Sequence, residues 1–260
     1  MSYLPCDPDT LLIFVQHLHN LGLAPASIKT RIAAVGFMHK ICRLPNPSND
    51  GLVFRSLQGI SRMKKRLDKR IPVSPRILRR LLGAAEVLEP HYVAAMAKAI
   101  FSLMFSAFLR VGEITDSHHN LGRRQFQFSK KGLTIQFQSF KHSNTRKPAI
   151  SIPPSGGKFC TVRLVREYCH LRDARGTSGP FFLSPAGLPL TKNWVRILLH
   201  KTCRSAGIDP RRITPHSFRI GAATWAAAAG KSLEQIRLMG RWASNAAINY
   251  IRVKSLKTPL

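Results

Sequence analysis

The sequence predicts a mainly helical protein with a small antiparallel sheet, of the α+β class, divided into two domains. Most apolar residues recur at helical spacing, whereas residues 132–140 alternate apolar and polar side chains as a half-buried strand does. Residues 71–75 contain two prolines directly after a basic run, which predicts a linker. The expected division is therefore a helical domain at 1–70, a linker at 71–75 and a second domain at 76–260.

The first domain is expected to contain three helices. Asp7 stands before Pro8 and can cap a first helix that ends near Gly22, and Pro25 begins a second helix. A third helix is expected at 52–60. The predicted core residues of the first two helices are Leu11, Leu12, Phe14, Val15, Leu18, Ile28, Ile32, Val35 and Met38.

The second domain is expected to begin with a helix at 75–87 and a buried helix at 93–109. A strand at 149–152 is expected to pair with the strand at 132–140 across a polar loop. The other expected elements are helices at 162–171, 192–206, 217–229, 232–239 and 245–253 and a buried stretch at 181–183.

The chain carries a large excess of positive charge. It has 41 Lys and Arg residues against 12 Asp and Glu residues, a formal net charge of +29 and a pI near 11.3. Self-repulsion on this scale opposes folding, so a polyanionic partner is the expected reason for the composition. Nucleic acid is the predicted partner, and a ribosome-like structural role or a membrane surface are the alternatives.

The cysteines and the N-terminus predict an intracellular protein with no membrane partner. Five cysteines without paired spacing indicate free thiols in a reducing compartment. Asp7 and Asp9 interrupt the region where the apolar part of a secretory signal would lie. The apolar run at 93–109 is short for a membrane span and contains Lys98, so a buried helix is expected instead.

No metal or cofactor is expected. His118 and His119 lack a third ligand at useful spacing, and 12 acidic residues leave few candidates for a two-metal nuclease site. Residues 156–158 read Gly-Gly-Lys, but the other residues of a phosphate-binding loop are missing around them.

Residues suited to phosphodiester chemistry recur along the second domain. Arginine donates two parallel hydrogen bonds to phosphate oxygens, lysine and histidine transfer protons, and a tyrosine hydroxyl can attack phosphorus. His216 and Arg219 are three apart and share one face of a helix start. The full set, in chain order, is Arg110, Lys141, His216, Arg219, Trp242 and Tyr250.

This set closely resembles the catalytic residues of the tyrosine recombinase (phage integrase) family, over about residues 75–254. The resemblance implies a DNA-clamp domain at 1–70, which binds the core site, in front of a catalytic domain. It implies cutting one DNA strand at a time through a 3′-phosphotyrosyl bond, by a homo-tetramer on two double-stranded DNA duplexes. Gly-Arg-Trp at 240–242 and Asn-Tyr-Ile-Arg at 249–252 resemble recombinases of eukaryotic mobile elements, for which the nucleus is the expected location.

The resemblance assigns the central roles. Tyr250 is the nucleophile, and its phenol, with a reference pKa of about 10, needs a base and nearby positive charge. His216 is the candidate base or proton relay, and a helix-capping role is compatible with this. Arg110 and Arg219 hold the non-bridging oxygens with forked contacts that lysine does not reproduce.

The other roles have rivals. Lys141 is the expected general acid for the leaving oxygen, with Arg146 and Lys147 as alternatives. The indole N–H of Trp242 can donate a hydrogen bond to a phosphate oxygen but cannot exchange a proton, so charge stabilisation is its expected role. The alternative is that Trp242 is only a core residue. Glu113 matches an acidic position of the family that orients neighbouring groups.

Further basic residues are expected to contact the DNA backbone. The run at 62–70 fits such a contact, a solvated face or a nuclear localisation signal. A type IB-like DNA topoisomerase and a non-catalytic DNA-binding descendant are the alternatives to a recombinase. The predicted DNA-contact residues are Lys29, Arg31, Arg62, Lys64, Lys65, Arg66, Lys69 and Arg70.

Overall fold

The computed structural model describes residues 4–63, 70–138, 148–176 and 178–252. The chain divides into two compact units, Met1–Asp68 and Lys69–Leu260. Both are mainly helical and the second contains a small antiparallel sheet, which confirms the predicted fold class. None of the described helices is long and apolar enough to cross a membrane.

The described part of the first unit is a group of helices around a small apolar core. They are α1 at Pro8–Asn20, α2 at Pro25–Ile41 and α3 at Gly51–Met63, with a short 3-10 helix at Pro47–Asn49. Asp7 caps α1 as predicted, because its carboxylate accepts a hydrogen bond from the Thr10 amide at 2.7 Å. The core consists of Leu11, Val15, Leu18, Ile28, Ile32, Val53 and Ile60.

The buried face of α2 differs from the prediction near its C-terminal end. Met38, predicted to face the core, is 47% exposed, whereas Gly36 and His39 are buried. His39 is accommodated there because both of its ring nitrogens are bonded. Its Nε2 accepts the Cys6 amide at 3.2 Å, and its Nδ1 donates to the Pro45 carbonyl at 2.6 Å. The core-facing side of α2 therefore ends with the polar residue His39. Apolar periodicity alone selects its neighbour Met38 for this position, which is wrong.

The second unit is built around a long buried helix, α5. The helices are α4 at Pro75–Ala85, α5 at His91–Ser106, α6 at Val111–Ile114, α7 at Thr161–Asp173, α8 at Lys192–Ser205, α9 at Pro215–Ala228 and α10 at Leu233–Gly240, with 3-10 helices at Arg123–Gln125 and Asn245–Tyr250. α5 packs against α4, α7 and α9 and is buried along almost its whole length. Such a helix is apolar on all sides, as the sequence of α5 is.

Two predicted helices end differently in the structure. α5 stops at Ser106 rather than at 109, because Phe108 has a φ of 51°, which is incompatible with an α-helix. Residues 107–109 stay buried, so their apolar character gives no sign of this turn. The predicted helix at 245–253 is a 3-10 helix over Asn245–Tyr250.

The sheet is antiparallel, and its strands pair in sequence order. They are β1 at Phe126–Ser129, β2 at Gly132–Gln136 and β3 at Ala149–Ile152. The predicted pairing of β2 with β3 is confirmed, with Ile135 opposite Ile150. β1 is missing from the prediction, although Phe126 and Phe128 alternate with polar residues as in a half-buried strand. β2 is shorter than predicted, and residues 139 and 140 of the predicted strand lie outside the described residues.

Residues 71–75, predicted as a linker, are packed into the second unit. The Val73 amide donates to the Ser217 carbonyl at 3.0 Å, and the Val73 side chain is fully buried. A Cβ on Gly221 would collide with the Val73 carbonyl oxygen, so glycine permits the close approach of α9. The segment is therefore a structural part of this unit, because its extended backbone finds hydrogen-bond partners there.

Candidate active site

The turn after α5 places Arg110 at the start of α6. Phe108, in the left-handed region, redirects the chain while its own side chain stays buried. The Arg110 amide then donates to Glu113 Oε2 at 2.8 Å, which caps α6. The Arg110 side chain is 23% exposed. It is therefore held by its own helix start and still open to a ligand.

Glu113 is a buried carboxylate that two arginines share. Its Oε1 accepts from Arg110 Nη1 at 3.3 Å, and its Oε2 accepts from Arg241 Nη2 at 2.8 Å. The Glu113 side chain is only 2% exposed, a depth at which an unpaired carboxylate would be costly. Glu113 thus ties Arg110 to the residue that follows α10.

Arg219 is buried at the start of the second turn of α9. Its Nη2 donates to the Gly240 carbonyl at 2.9 Å, and its Nη1 donates to the Phe108 carbonyl. Burial, and after it the positive charges of Arg110 and Arg241, lower the pKa of the Arg219 guanidinium to about 9. The guanidinium is thus fixed by main-chain oxygens in surroundings that disfavour further positive charge.

Positive charge exceeds negative charge in the described part of this site. The guanidinium groups of Arg110, Arg219 and Arg241 lie around the carboxylate of Glu113. Burial also lowers the pKa of Arg241, and Glu113 opposes that effect. Three guanidinium groups around one carboxylate leave two unbalanced positive charges, which a bound anion would offset.

Trp242 packs between the arginine and the tyrosine of the site. The Arg219 Cζ atom lies 4.3 Å from the centre of the indole, and the Tyr250 ring lies 4.8 Å from it, centre to centre. A Cβ on Gly240 would overlap the indole, so glycine is required at that position. The indole Nε1 is buried without a hydrogen-bond partner among the described residues. Such an orphan donor costs about 1–3 kcal/mol, which an acceptor from outside the chain would recover.

Tyr250 lies against His216 at the end of the last 3-10 helix. The two rings are 4.8 Å apart, centre to centre, and Tyr250 is half-buried. Thr224 of α9 anchors this segment, because its hydroxyl donates to the Tyr250 carbonyl at 3.1 Å and accepts the Arg252 amide at 3.0 Å. α9 thereby positions both the histidine and the tyrosine.

The chain also matches a known protein family along its sequence. The model of the phage integrase family matches residues 60–255. The chain belongs to the phage integrase family. An integrase/recombinase xerD homolog of Selenomonas ruminantium is 24% identical to this family member over an alignment of 237 residues, gaps included, which covers 86% of this chain and 67% of that protein.

Solved structures of similar fold include recombinases and integrases. XerA recombinase has a TM-score of 0.58 at 18% identity, covering 99% of this chain and 83% of that one. XerH site-specific recombinase bound to palindromic difH substrate has a TM-score of 0.69 at 18% identity, covering 96% and 69%. The Tn1549 transposon integrase in complex with a circular intermediate DNA has a TM-score of 0.68 at 15% identity, covering 95% and 81%. At these identities the likeness establishes the fold.

The structure of this integrase-family chain brings most of the predicted catalytic set together. Lys141 and its rivals Arg146 and Lys147 lie outside the described residues, so the general acid stays a prediction. No group of three His, Cys, Asp or Glu side chains that could hold a metal ion occurs in the described part of the chain. The predicted residues found in mutual proximity are Arg110, His216, Arg219, Trp242 and Tyr250.

The predicted DNA-contact residues are only partly covered by the structure. Lys64, Lys65, Arg66 and Lys69 lie outside the described residues. In the first unit, Lys29 and Arg31 are exposed on α2, and Arg62 is exposed on the last turn of α3. In the second unit, Arg70 is half-buried, and its carbonyl accepts from Arg252 Nη1 at 2.9 Å.

Arg241 is a member of the site for which the sequence analysis gives no role. It is 6% exposed and bonded to Glu113. Its place within Gly-Arg-Trp at 240–242 is a signal, but a motif cannot tell whether an arginine points to a ligand or into the core.

Proposed function

We propose that this chain is a site-specific DNA recombinase that cuts and rejoins DNA through a 3′-phosphotyrosyl intermediate, without a metal or another cofactor. The observation that carries the proposal is the packing of Tyr250 against His216 and Trp242, beside a group of arginines with excess positive charge. A phenol, a base and an anion site in contact are what phosphoryl transfer to tyrosine needs.

The proposed reaction has two chemical steps. The Tyr250 hydroxyl loses its proton to His216 and attacks the scissile phosphorus, while the bond from phosphorus to the 5′-oxygen breaks. The leaving oxygen takes a proton, for which Lys141 is the proposed donor. A 5′-hydroxyl of a second strand then attacks the phosphotyrosyl bond, which rejoins the DNA and releases Tyr250. Because one phosphodiester replaces another, the cycle needs no external energy source.

The arginines supply the electrostatic part of catalysis. A phosphodiester carries one negative charge and its pentavalent transition state carries two. The two unbalanced positive charges around Glu113 match the second state better than the first. Arg110 and Arg219 are the proposed forked donors to the non-bridging oxygens. The buried Trp242 N–H is proposed to donate to the same group.

The proposed partner is double-stranded DNA, gripped by a homo-tetramer that holds two duplexes. XerH and the Tn1549 integrase, whose folds are similar, were solved on DNA. The charge of +29 supports a polyanionic partner for this chain. The proposed DNA-clamp part at 1–70 carries Lys29, Arg31 and Arg62 on its surface. Association with DNA in the cell, in the nucleus of a eukaryotic host, is part of this proposal.

DNA affinity is expected to depend steeply on salt. For about 6–10 phosphate contacts, the affinity falls about 10³–10⁵-fold between about 50 and 200 mM salt, because bound counterions are released. Fluorescence anisotropy over a salt series measures the slope. Arg31→Ala should reduce the slope by about one, whereas Lys201→Ala, an exposed lysine outside the predicted contacts, should not change it. A DNA affinity that does not change with salt would contradict the proposal that the positive charge of the chain binds the DNA backbone.

The covalent step is tested by trapping the protein on nicked DNA. The substrates are a library of duplexes, each with a nick beside the bond that is cleaved. After cleavage, the short fragment with the 5′-hydroxyl dissociates. Rejoining is then impossible, so the covalent adduct accumulates. We expect a protein–DNA adduct whose labelled peptide contains Tyr250. A label on Tyr92 or Tyr168 would contradict the assignment of Tyr250 as the nucleophile. Relaxation of supercoils without strand exchange between duplexes would indicate a topoisomerase, and binding without an adduct would indicate a non-catalytic descendant.

A further inference from the structure

Arg241 is an almost completely buried charge whose hydrogen bonds join separate parts of the site. Its side chain is 2% exposed, a depth at which a cation is costly unless it is paired with an opposite charge. Nη2 donates to Glu113 Oε2 at 2.8 Å, and Nη1 donates to the Ala107 carbonyl at 3.0 Å. The guanidinium also lies 4.1 Å from the ring centre of Phe137. It therefore connects the end of α5 with α6.

The left-handed backbone conformation of Arg241 at the end of α10 indicates that the arginine side chain is needed for its contacts and not for ending the helix. Its φ of 56° and ψ of 46° are left-handed, the conformation in which helices commonly end on glycine. An arginine adopts this conformation at a cost in strain that glycine does not have. Capping alone would therefore favour glycine, whereas the contacts of the guanidinium require arginine.

The contacts of Arg241 lead to Arg110. The Arg241 carbonyl accepts from Arg110 Nη2 at 3.3 Å, and the Glu113 carboxylate bonded to Arg241 also accepts from Arg110 Nη1 at 3.3 Å. Arg241 thus acts on Arg110 through its main chain and through a shared carboxylate. Arg110 is the more exposed partner, with 23% of its side chain accessible against 2% for Arg241. The Arg241 guanidinium is neutralised by its ion pair with Glu113. The Arg219 guanidinium, although also buried, lies 5.7 Å from the centre of the Tyr250 ring. A phosphate attacked by Tyr250 therefore meets Arg110 and Arg219 and not Arg241.

We propose that Arg241 is a positioning residue, which holds Glu113 and Arg110 in the arrangement that grips the scissile phosphate without contacting the phosphate itself. The proposal rests on the proposed function. Glu113 is bonded to Arg110 and Arg241. When the Arg241 side chain is removed, the buried carboxylate keeps Arg110 and draws the Arg110 guanidinium toward itself. Arg110 is then displaced from the phosphate, and the transition state loses part of its stabilisation.

The test compares single-turnover cleavage by the full-length wild type, Arg241→Met, Arg110→Ala and the double variant. Arg241→Met is expected to slow cleavage about 10²-fold, the effect of a misplacement on the order of 1 Å, with unchanged DNA affinity. The double variant should be no slower than Arg110→Ala, because Arg241 acts through Arg110. A wild-type rate for Arg241→Met, or an additive loss in the double variant, overturns the proposal.

Arg123→Met is the matched control. Arg123 forms an ion pair with Asp173 at 2.7 Å and also donates to the Phe126 carbonyl, so its loss removes an arginine–carboxylate pair of the same chemistry, although this pair is more exposed, at 22% and 27%. It should lower the thermal stability while leaving the cleavage rate unchanged. If Arg241→Met and Arg123→Met lose the same fraction of the cleavage rate, the effect of Arg241→Met is general destabilisation, which overturns the proposal.

A second readout does not depend on cleavage. The rate at which a dicarbonyl reagent modifies Arg110 is followed by peptide mass spectrometry in the wild type, Arg241→Met and Arg123→Met. Because Glu113 then holds the Arg110 guanidinium more closely, Arg110 should react more slowly in Arg241→Met only. If the wild type forms no adduct with DNA, the proposed function fails, and an unchanged reactivity of Arg110 then overturns the positioning role separately.

Discussion

Replacing Tyr250 with phenylalanine is expected to abolish the covalent DNA adduct while leaving DNA affinity unchanged. The substitution removes the attacking oxygen but keeps the ring that packs against Trp242 and His216, at 4.8 Å from each. The anchor through Thr224 also persists, because it bonds the main chain of Tyr250. Adduct formation on nicked DNA and binding by anisotropy measure the two properties separately.

Tyr168→Phe is the matched control for the loss of a hydroxyl. Burial raises the pKa of the Tyr168 phenol far above its ordinary value, and its oxygen is bonded to Tyr92 and to the Leu183 amide. This variant should cost about 1–3 kcal/mol of unfolding free energy, because it leaves the buried Leu183 amide without its partner, and it should still form the adduct. Persistent adduct formation by Tyr250→Phe would contradict the proposed mechanism.

Replacing Arg219 or Arg110 with alanine is expected to slow cleavage by about 10²–10³-fold each, the usual effect of losing one preorganised donor to transition-state charge. Lysine should not restore the rate at either position, because a point charge cannot bond two oxygens as a fork does. Single-turnover rates on a cleavable duplex measure both effects. A full recovery by Arg219→Lys would show that charge alone suffices.

Arg219 also supports the fold, so its variants need a structural control. Its guanidinium is bonded to the Gly240 and Phe108 carbonyls, and Arg172 is similarly buried and donates to the Pro180 carbonyl at 2.8 Å. Arg172→Lys should therefore lower the thermal stability as Arg219→Lys does, but it should not slow cleavage. A similar rate loss in both would assign the effect to folding.

Excess chelator is expected to leave the cleavage rate of the wild type unchanged. The arginines, His216, Trp242 and the proposed Lys141 already account for charge stabilisation and proton transfer. Activity that disappears with chelator and returns with magnesium would contradict this assignment, and the acidic residues would then be the candidates for a metal site.

The composition and the local patterns were enough to predict much of the fold. A helix such as α1 is encoded by nearby residues, since Asp7 caps it and apolar residues recur at helical spacing. The same holds for α9, which begins at Pro215, and for the pairing of β2 with β3. Local sequence failed where a partner far along the chain decides the conformation. Residues 71–75 read as a linker because their bond to Ser217 cannot be seen from the segment itself.

The order and type of residues from Arg110 to Tyr250 determined the family and the residues proposed for catalysis, because the chemistry requires those side chains in any fold of this kind. Only the tertiary structure decided how they are held. The left-handed turn at Phe108 directs the chain into α6. The buried Arg241 bonds to the Ala107 carbonyl and to Glu113, which lie more than a hundred residues away along the chain. Whether an arginine faces a ligand or a buried carboxylate depends on such distant partners, and neither charge nor spacing along the sequence contains that information.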